Sequence, residues 1–347
     1  MAVCACRRVP GTEDACTMRM ALGRVLVTGA TGFIGVEVAR QLAAAGVRAR
    51  LMVHRAHRAI YVREWSDDLV AGNLEDVASL TRAAAGVDAV IHLAGRATFE
   101  SFGVVRQTLV DGTASLARAA AAAGVERFVF ASSTLVYDGS GPPATEHTPP
   151  APWSGYGRAK LEAEHALARI AERSTLGIGV LRLPHVYGAR DALFGMARRG
   201  FLVAPGRGDG PFSHLHVEDA ARALIGAAEQ GWRGVSPIAD DAPASWGEFV
   251  AVLRESLPAL RVLRVPARIA WLGAHVPALV ARMRGRPTLL TPDGVAGWNR
   301  SLVVAPGTLW SRLGATPHYF SIRSGVPAAA HETVPPDWLH SLDDHRR

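Results

Sequence analysis

Arg24-Val25-Leu26-Val27-Thr28-Gly29-Ala30-Thr31-Gly32-Phe33-Ile34-Gly35 is the stretch whose reading decides the fold. Its first five residues form a continuous apolar run rather than an alternating one, as expected of a strand covered on both faces. Three glycines follow, and then a helical pattern begins at Ile34. Glycines at such a turn let the backbone approach a pyrophosphate, whose charge meets exposed N–H groups and the positive end of the helix. The spacing is Gly-x-x-Gly-x-x-Gly, not the more common Gly-x-Gly-x-x-Gly. A turn that is glycine-rich only for tight packing is the plainer alternative. The strand before and the helix after are the context that supports nucleotide binding. The expected contacts are Gly29, Thr31, Gly32, Phe33, Ile34 and Gly35.

Outward from this turn, short β-rich runs alternate with alanine-rich helical stretches. Strands are predicted at 24–28, 47–54, 89–93, 127–131 and 177–182, and helices at 34–45, 77–84, 110–123 and 155–172. That alternation specifies an α/β fold, a doubly wound parallel sheet with helices on both faces. The second strand ends Leu51-Met52-Val53-His54-Arg55. An acid at this place binds the ribose 2′-hydroxyl of NAD, whereas an arginine accommodates the 2′-phosphate of NADP. Arg55, with Arg58 close by and no acid before Glu64, favours NADP(H), with NAD(H) as the alternative. After Pro184 the pattern loosens into a smaller C-terminal substrate lobe. The expected division is a leader over 1–21 and a nucleotide-binding domain over 22–185, to which 213–230 returns. The lobe takes 186–212 and 231–327, and a flexible tail takes 328–347.

Only one of the 38 basic residues is a lysine: Lys160, in Tyr156-Gly157-Arg158-Ala159-Lys160. With five tyrosines in 347 residues, chance places a lone lysine four after one of them with probability 5/347, roughly one in seventy. Residues four apart share a helix face, so the ammonium can sit beside the phenol. A free phenol has a pKa near ~10, and bringing it to neutrality takes about 4 kcal/mol. One cation ~5 Å away at an effective dielectric of ~20 supplies about 3.3 kcal/mol. A surface Tyr/Lys pair is the bland alternative. A tyrosine so tuned would exchange protons near neutral pH. At the end of the strand predicted at 127–131, Ser132-Ser133-Thr134 offers hydroxyls where an open parallel sheet binds its ligands. Such serines also commonly bond local backbone.

Taken together, Thr28–Gly35, Ser132–Tyr137 and Tyr156–Lys160 resemble the short-chain dehydrogenase/reductase superfamily in its extended form, which includes the NAD-dependent epimerase/dehydratase group. Supporting matches are His92-Leu93-Ala94-Gly95, Arg182-Leu183-Pro184-His185-Val186-Tyr187-Gly188 and His216-Val217-Glu218-Asp219. The resemblance covers about residues 22 to 325 and implies a Rossmann-type domain. It implies Ser133, Tyr156 and Lys160 as the catalytic trio. Asn73, Leu74, Ala94 and Gly95 would line the adenine and ribose, with Pro184 near the nicotinamide. Where relatives carry an asparagine that organises a proton relay, this chain has Leu109. Thr134-Leu135 replaces the Asp-Glu pair of family dehydratases, which disfavours dehydration. Trp271, Pro277, Pro287 and Leu313-Gly314-Ala315-Thr316-Pro317 look more like the hydroxysteroid-dehydrogenase and flavonol-reductase branch than like sugar-nucleotide epimerases. The expected activity is hydride transfer between nicotinamide and a secondary alcohol or carbonyl. A nucleotide-sugar epimerase that retains NAD is the alternative, and a non-catalytic NADP-binding regulator or assembly factor is the alternative of another class. A homodimer is common in the family.

Composition excludes several other classes. The formal charge of +7 is a feature shared with nucleic-acid binders, but the arginines are spread along the chain with no Lys/Arg-rich run, so no nucleic-acid partner is expected. Cys4, Cys6 and Cys16 precede any periodic pattern, which argues against a disulfide framework and for a reducing, cytoplasmic setting. No metal site is expected, because Cys4-x-Cys6 lacks histidines at ligand spacing. The first residues lack an apolar h-region and read as a disordered arm, or as sequence before a true start at Met18 or Met20. No uncharged apolar run reaches 18 residues. Ile269 to Met283 reads as a substrate-lobe helix; a membrane-surface helix, basic at its edges, is the minor alternative, and membrane association is not expected.

Overall fold

The structure, a computed structural model, describes residues 22–95, 99–283, 290–305, 307, 309–335 and 338. Strands β1 (Val25–Thr28), β2 (Ala49–Val53), β3 (Leu69–Ala71), β4 (Ala89–His92), β5 (Arg127–Ser133) and β6 (Gly177–Leu183) come first. The short strands β7 (His185–Tyr187), β8 (Phe201–Pro205), β9 (Pro211–Phe212) and β10 (His214–His216) intervene before β11 (Gly234–Pro237). One seven-stranded sheet has the order β11-β6-β5-β4-β1-β2-β3, and every neighbouring pair is parallel. The chain builds outward from β1 through β2 to β3 and then restarts on the other side at β4. A crevice opens at that reversal, beyond the carboxyl ends of the strands.

Helices α1 (Phe33–Ala44), α2 (Val77–Ala84), α3 (Phe102–Arg106), α4 (Thr113–Ala122), α5 (Gly155–Ala171), α6 (Ala192–Arg198) and α7 (Val217–Glu229) follow in chain order. The continuous apolar run in β1 is explained by what lies on its two faces. Val25 and Val27 share a core with Val36 and Leu42 of α1 and with Leu224 of α7. Leu26 points the other way, to Leu80 of α2, Leu116 of α4 and Leu167 of α5. Truncating a side chain so enclosed costs about 2–5 kcal/mol. The segment around 217–229 therefore packs on the face of the sheet that α1 covers.

The remaining strands and helices are β12 (Ala244–Ser245), α8 (Trp246–Ser256), β13 (Arg261–Val265), α9 (Ala267–Gly273), α10 (His275–Met283), α11 (Pro292–Trp298), α12 (Leu309–Leu313) and α13 (Ile322–His331). A separate core gathers Phe194, Leu202, Phe249, Leu253 and Val326 from α6, β8, α8 and α13.

Three expectations need correction. The tail was expected to be flexible from 328, but α13 runs through Pro327 to His331. Trp338 is only 2% exposed; its indole N–H donates to the Arg190 carbonyl at 2.9 Å and its ring meets Tyr61 edge-on at 5.0 Å. Burying so large an apolar ring outweighs the polar composition around it. The predicted single helix over 269–283 is two helices, α9 and α10, meeting at Ala274. The helix predicted from 110 becomes α-helical only at Thr113, after a π-helical turn over Gln107–Gly112. The leader with its three cysteines and Pro287 lie outside the described residues.

Candidate active site

Apart from Tyr156 and Lys160, which were also expected to touch the dinucleotide and lie on α5, the residues expected at the nucleotide follow the carboxyl ends of strands. Gly29 follows β1, Arg55 follows β2, Asn73 and Leu74 follow β3, Ala94 and Gly95 follow β4, and Pro184 follows β6. The glycine turn is built with no room for side chains. Gly29 has φ +70°, and a Cβ there would lie 2.7 Å from the Ala94 nitrogen. A Cβ on Gly35 would stand 2.1 Å from the Gly29 carbonyl oxygen. Gly32 donates its N–H to that same carbonyl at 2.9 Å, and as the N-cap of α1 it offers no side chain to the helix amides. Thr31, Phe33 and Ile34 complete the turn at the start of α1. A close backbone cradle with unsatisfied helix N–H groups fits a pyrophosphate. Beneath it, the Thr28 hydroxyl lies 2.6 Å from His92 Nδ1, and His92 Nε2 lies 2.9 Å from the Thr113 hydroxyl. Burial, helped by the Lys160 charge, drives the His92 pKa down to about 3, so the imidazole is neutral and ties β1, β4 and α4 together.

Tyr156 is held by its neighbours in sequence. Ser154 caps α5, its hydroxyl accepting the Gly157 N–H at 3.0 Å. A Cβ on Gly155 would lie 2.5 Å from the Phe102 nitrogen, and one on Gly157 would lie 2.1 Å from the Leu135 carbonyl oxygen. The two glycines thus let the helix start wedge between the 100–102 segment and the turn after β5. The ring of Phe99 stands 6.4 Å from that of Tyr156. One helical turn on, Lys160 is 6% exposed. Its Nζ lies 5.8 Å from the centre of the Tyr156 ring and donates to the Ala131 carbonyl at 2.7 Å.

The adjacent serines, alike in sequence, differ in the structure. Ser132 donates to Glu164, whose carboxylate also accepts two bonds from Arg182, at 3.1 and 2.6 Å. Arg182 donates to the Tyr137 hydroxyl at 2.7 Å, and Tyr137 donates to the Thr145 carbonyl at 2.7 Å. This buried chain joins β5, β6, α5 and the loop over 138–153, and sequence reasoning missed it. Ser133, at the end of β5, accepts the Leu135 N–H at 3.2 Å, which leaves its hydroxyl proton free to be donated. Leu109 is 1% exposed and packs with Val105, Val110 and Ala159, against which Phe102 and Tyr156 also lie. Apolar surface therefore backs the tyrosine where relatives were expected to carry a relay.

One electrostatic expectation is overturned. The phenol was expected to be drawn toward neutrality by the ammonium. Instead desolvation pushes the Tyr156 pKa well above the usual phenol value, although the residue is only part-buried. Lys160 is shifted as well: burial lowers its pKa from 10.5 to about 8, with Glu164 opposing. The simple Coulomb sum left out the transfer of both groups from water, and that term dominates here.

The glycine turn and the Tyr-x-x-x-Lys pair both fall within residues 25–238, which match the model of the NAD-dependent epimerase/dehydratase family. The chain belongs to that family. It is 30% identical over 329 residues to the ceramide reductase of Caulobacter vibrioides, covering 92% of this chain and 87% of that protein. It is 34% identical over 266 residues to the 3-diazoavenalumate denitrifying reductase of a Streptomyces species, covering 71% of this chain and 86% of that one. Among solved structures, MoeE5 in complex with UDP-glucose and NAD superposes with a TM-score of 0.71 at 27% identity, over 92% of this chain and 99% of that one. Like these family members, the chain is an enzyme of the oxidoreductase and epimerase kind. Among the described residues no helix is long and apolar enough to cross a membrane.

Proposed function

We propose that this enzyme reduces the carbonyl of a hydrophobic substrate to a secondary alcohol, with Ser133, Tyr156 and Lys160 as its working groups and NADP(H) as its preferred dinucleotide. The observation that carries the reading is the pairing of a Ser133 hydroxyl held from one side by the Leu135 N–H with Tyr156 and Lys160 on one face of α5. A dinucleotide bound at the glycine turn of Gly29, Gly32 and Gly35 would supply hydride to the carbonyl carbon. Ser133 donates its hydroxyl proton as a hydrogen bond to the carbonyl oxygen, and Tyr156 transfers its phenolic proton to that oxygen as negative charge grows there. The Lys160 ammonium stabilises the resulting phenolate. Arg55, half-buried at the loop after β2, is the group suited to a 2′-phosphate.

Two relatives named as reductases at 30% identity or more, each spanning over two thirds of this chain, support reduction. The first acts on a ceramide by name, which favours an apolar substrate. The apolar backing of Tyr156 by Leu109 and Val105 agrees with a dry site. A second reading, epimerisation with retained NAD, is favoured by the likeness to MoeE5 with its bound UDP-glucose.

The test is NADPH consumption with long-chain ketones, set against conversion of sugar nucleotides without added cofactor. Tyr156→Phe is expected to lower kcat at least ~10²-fold, with the thermal shift by NADPH retained. Sugar-nucleotide turnover without added dinucleotide would replace this reading with the epimerase. Biological activity intact in Tyr156→Phe would replace it with a non-catalytic regulator.

A further inference from the structure

The basic charge of the chain gathers in two acid-free stretches, one over 38–63, around β2, and one over 256–292. From Ser256 to Pro292 the sequence holds six arginines, Arg261, Arg264, Arg268, Arg282, Arg284 and Arg286, and no aspartate or glutamate. That span carries +6, as does 38–63, but only here does the charge border exposed apolar helices. Counting arginines made the basicity look evenly spread; the missing acids are what localise it.

The same span exposes its apolar face. On α10, Val276, Leu279, Val280 and Met283 follow the i, i+3, i+4, i+7 spacing of a helix stripe, which in a globular protein normally turns inward. Here they are 67%, 59%, 37% and 79% exposed. Ile269, Trp271 and Leu272 of α9 are also exposed, and Arg261, Arg264 and Arg268 at its leading edge are open to solvent. Apolar surface of this extent, rimmed by charge of one sign, marks an interaction face. At nine residues α10 is far short of the ~20 needed to span a bilayer. A short helix with an apolar face, a tryptophan and arginines at its margin suits the plane of a lipid interface.

We propose that α9 and α10 dock the enzyme onto an anionic membrane surface, Ile269, Leu272, Val276, Leu279 and Met283 entering the headgroup boundary while Arg261, Arg264 and Arg268 meet lipid phosphates. Charge complementarity selects this occupant over a second copy of the chain, because pairing two such faces would bring two clusters of arginines together. The dock also lies near the chemistry. α9 packs on α11, forming a groove of about 430 Å³ lined by Ala267, Trp271, Leu272, Val295 and Ala296. α11 in turn supplies Asp293, whose carboxylate accepts the Gly155 N–H at 3.3 Å, next to Tyr156. Resting on the reductase reading for this last step only, the face would admit a lipid-borne ketone directly from the bilayer.

Flotation of the full chain with vesicles tests the proposal without any turnover. Vesicles of phosphatidylcholine alone are compared with vesicles in which a third of the lipid is phosphatidylglycerol. Each arginine near an anionic leaflet is worth about fivefold in partition, so three predict a preference on the order of a hundredfold. Raising salt to ~1 M, where the Debye length is ~3 Å, removes most of it. Val276→Glu with Leu279→Glu is expected to abolish binding to both vesicles. Arg261→Gln with Arg264→Gln is expected to cut only the anionic preference, by about 25-fold to roughly fivefold. Neither pair alters NADPH-dependent turnover of a water-soluble ketone. No flotation, flotation indifferent to both pairs, or a dimer in sedimentation that Val276→Glu with Leu279→Glu converts to monomer would each overturn the proposal. Absent ketone turnover with flotation intact would fault the reductase reading instead.

Discussion

Replacing Lys160 with methionine is expected to move activity and stability in opposite directions. The ammonium is 6% exposed, and its pKa falls from 10.5 to about 8 on burial. A shift of that size corresponds to about 3 kcal/mol against keeping it charged in the folded state at pH 7. Methionine keeps the stem and removes the charge, at the expense of the bond to the Ala131 carbonyl, whose loss costs about 1–3 kcal/mol. Net stability at pH 7 should therefore be unchanged or raised by up to about 2 kcal/mol. The pH dependence is sharper. Between pH 8 and 10.5 the unfolded chain holds the proton and the folded one does not, so wild-type stability rises with pH through that window. The methionine variant lacks this rise, and its relative advantage shrinks by about 1.4 kcal/mol per pH unit. Catalysis goes the other way. A charge 5.8 Å from the Tyr156 ring centre, at an effective dielectric of ~20, stabilises a phenolate by about 3 kcal/mol, on the order of a hundredfold in rate. Urea midpoints at pH 7, 8 and 9 and kcat for the ketone reaction are the assays. A loss of more than about 1 kcal/mol at pH 7, or a stability difference flat across pH 8 to 9, refutes the reasoning.

Glu164→Gln removes the counter-charge of Arg182 where both side chains are 5% exposed. Leaving a buried guanidinium unpaired should cost about 3–5 kcal/mol in the denaturant midpoint, and a loss below about 1 kcal/mol would mean that Tyr137 alone satisfies it. Asp240→Asn should stabilise. Asp240 is 2% exposed, its carboxylate has no side-chain partner and only the Ala242 backbone N–H nearby, and burial beside Asp241 raises its pKa from 3.8 to about 8. The folded state thus keeps a proton that the unfolded state releases, so wild-type stability falls as pH rises from about 4 to 8. The asparagine variant should lack that fall and be more stable at pH 7.5 by about 2–4 kcal/mol; equal slopes of Tm against pH would contradict this.

What was legible in the sequence was local. The strand-turn-helix at Val25–Gly35 announces itself because strand, glycines and helix are contiguous, and α2 falls where predicted because Asp76 caps it with two backbone bonds. β11 escaped prediction because a glycine at φ +96° opens it and a proline closes it, and its place in the sheet comes only from pairing with β6. The Ser132–Glu164–Arg182–Tyr137 chain was illegible for a similar reason. Its members are separated by 18 to 45 residues, and Arg182 looks like any other arginine until β6 brings it beside α5. The family resemblance singled out Ser133, but the physical difference between the two serines came only with the strand that points Ser132 toward Glu164.

The miss on the Tyr156 pKa changes what the site is suited to do. A phenol brought to neutrality would be half ionised at pH 7 and equally ready to give or take a proton. Desolvation holds this one protonated, which is the form a reductase needs when oxygen gains negative charge in front of it. The apolar packing of Leu109 and Val105 behind the ring and the short separation from an ammonium act at different moments. The first keeps the proton on oxygen before reaction; the second limits the cost of the phenolate afterwards. Oxidation would have to start from the ionised phenol, which this environment disfavours. In the proposed reductase reaction these residues would favour proton donation near neutral pH, and reduction is expected to slow as pH rises toward the phenol's pKa.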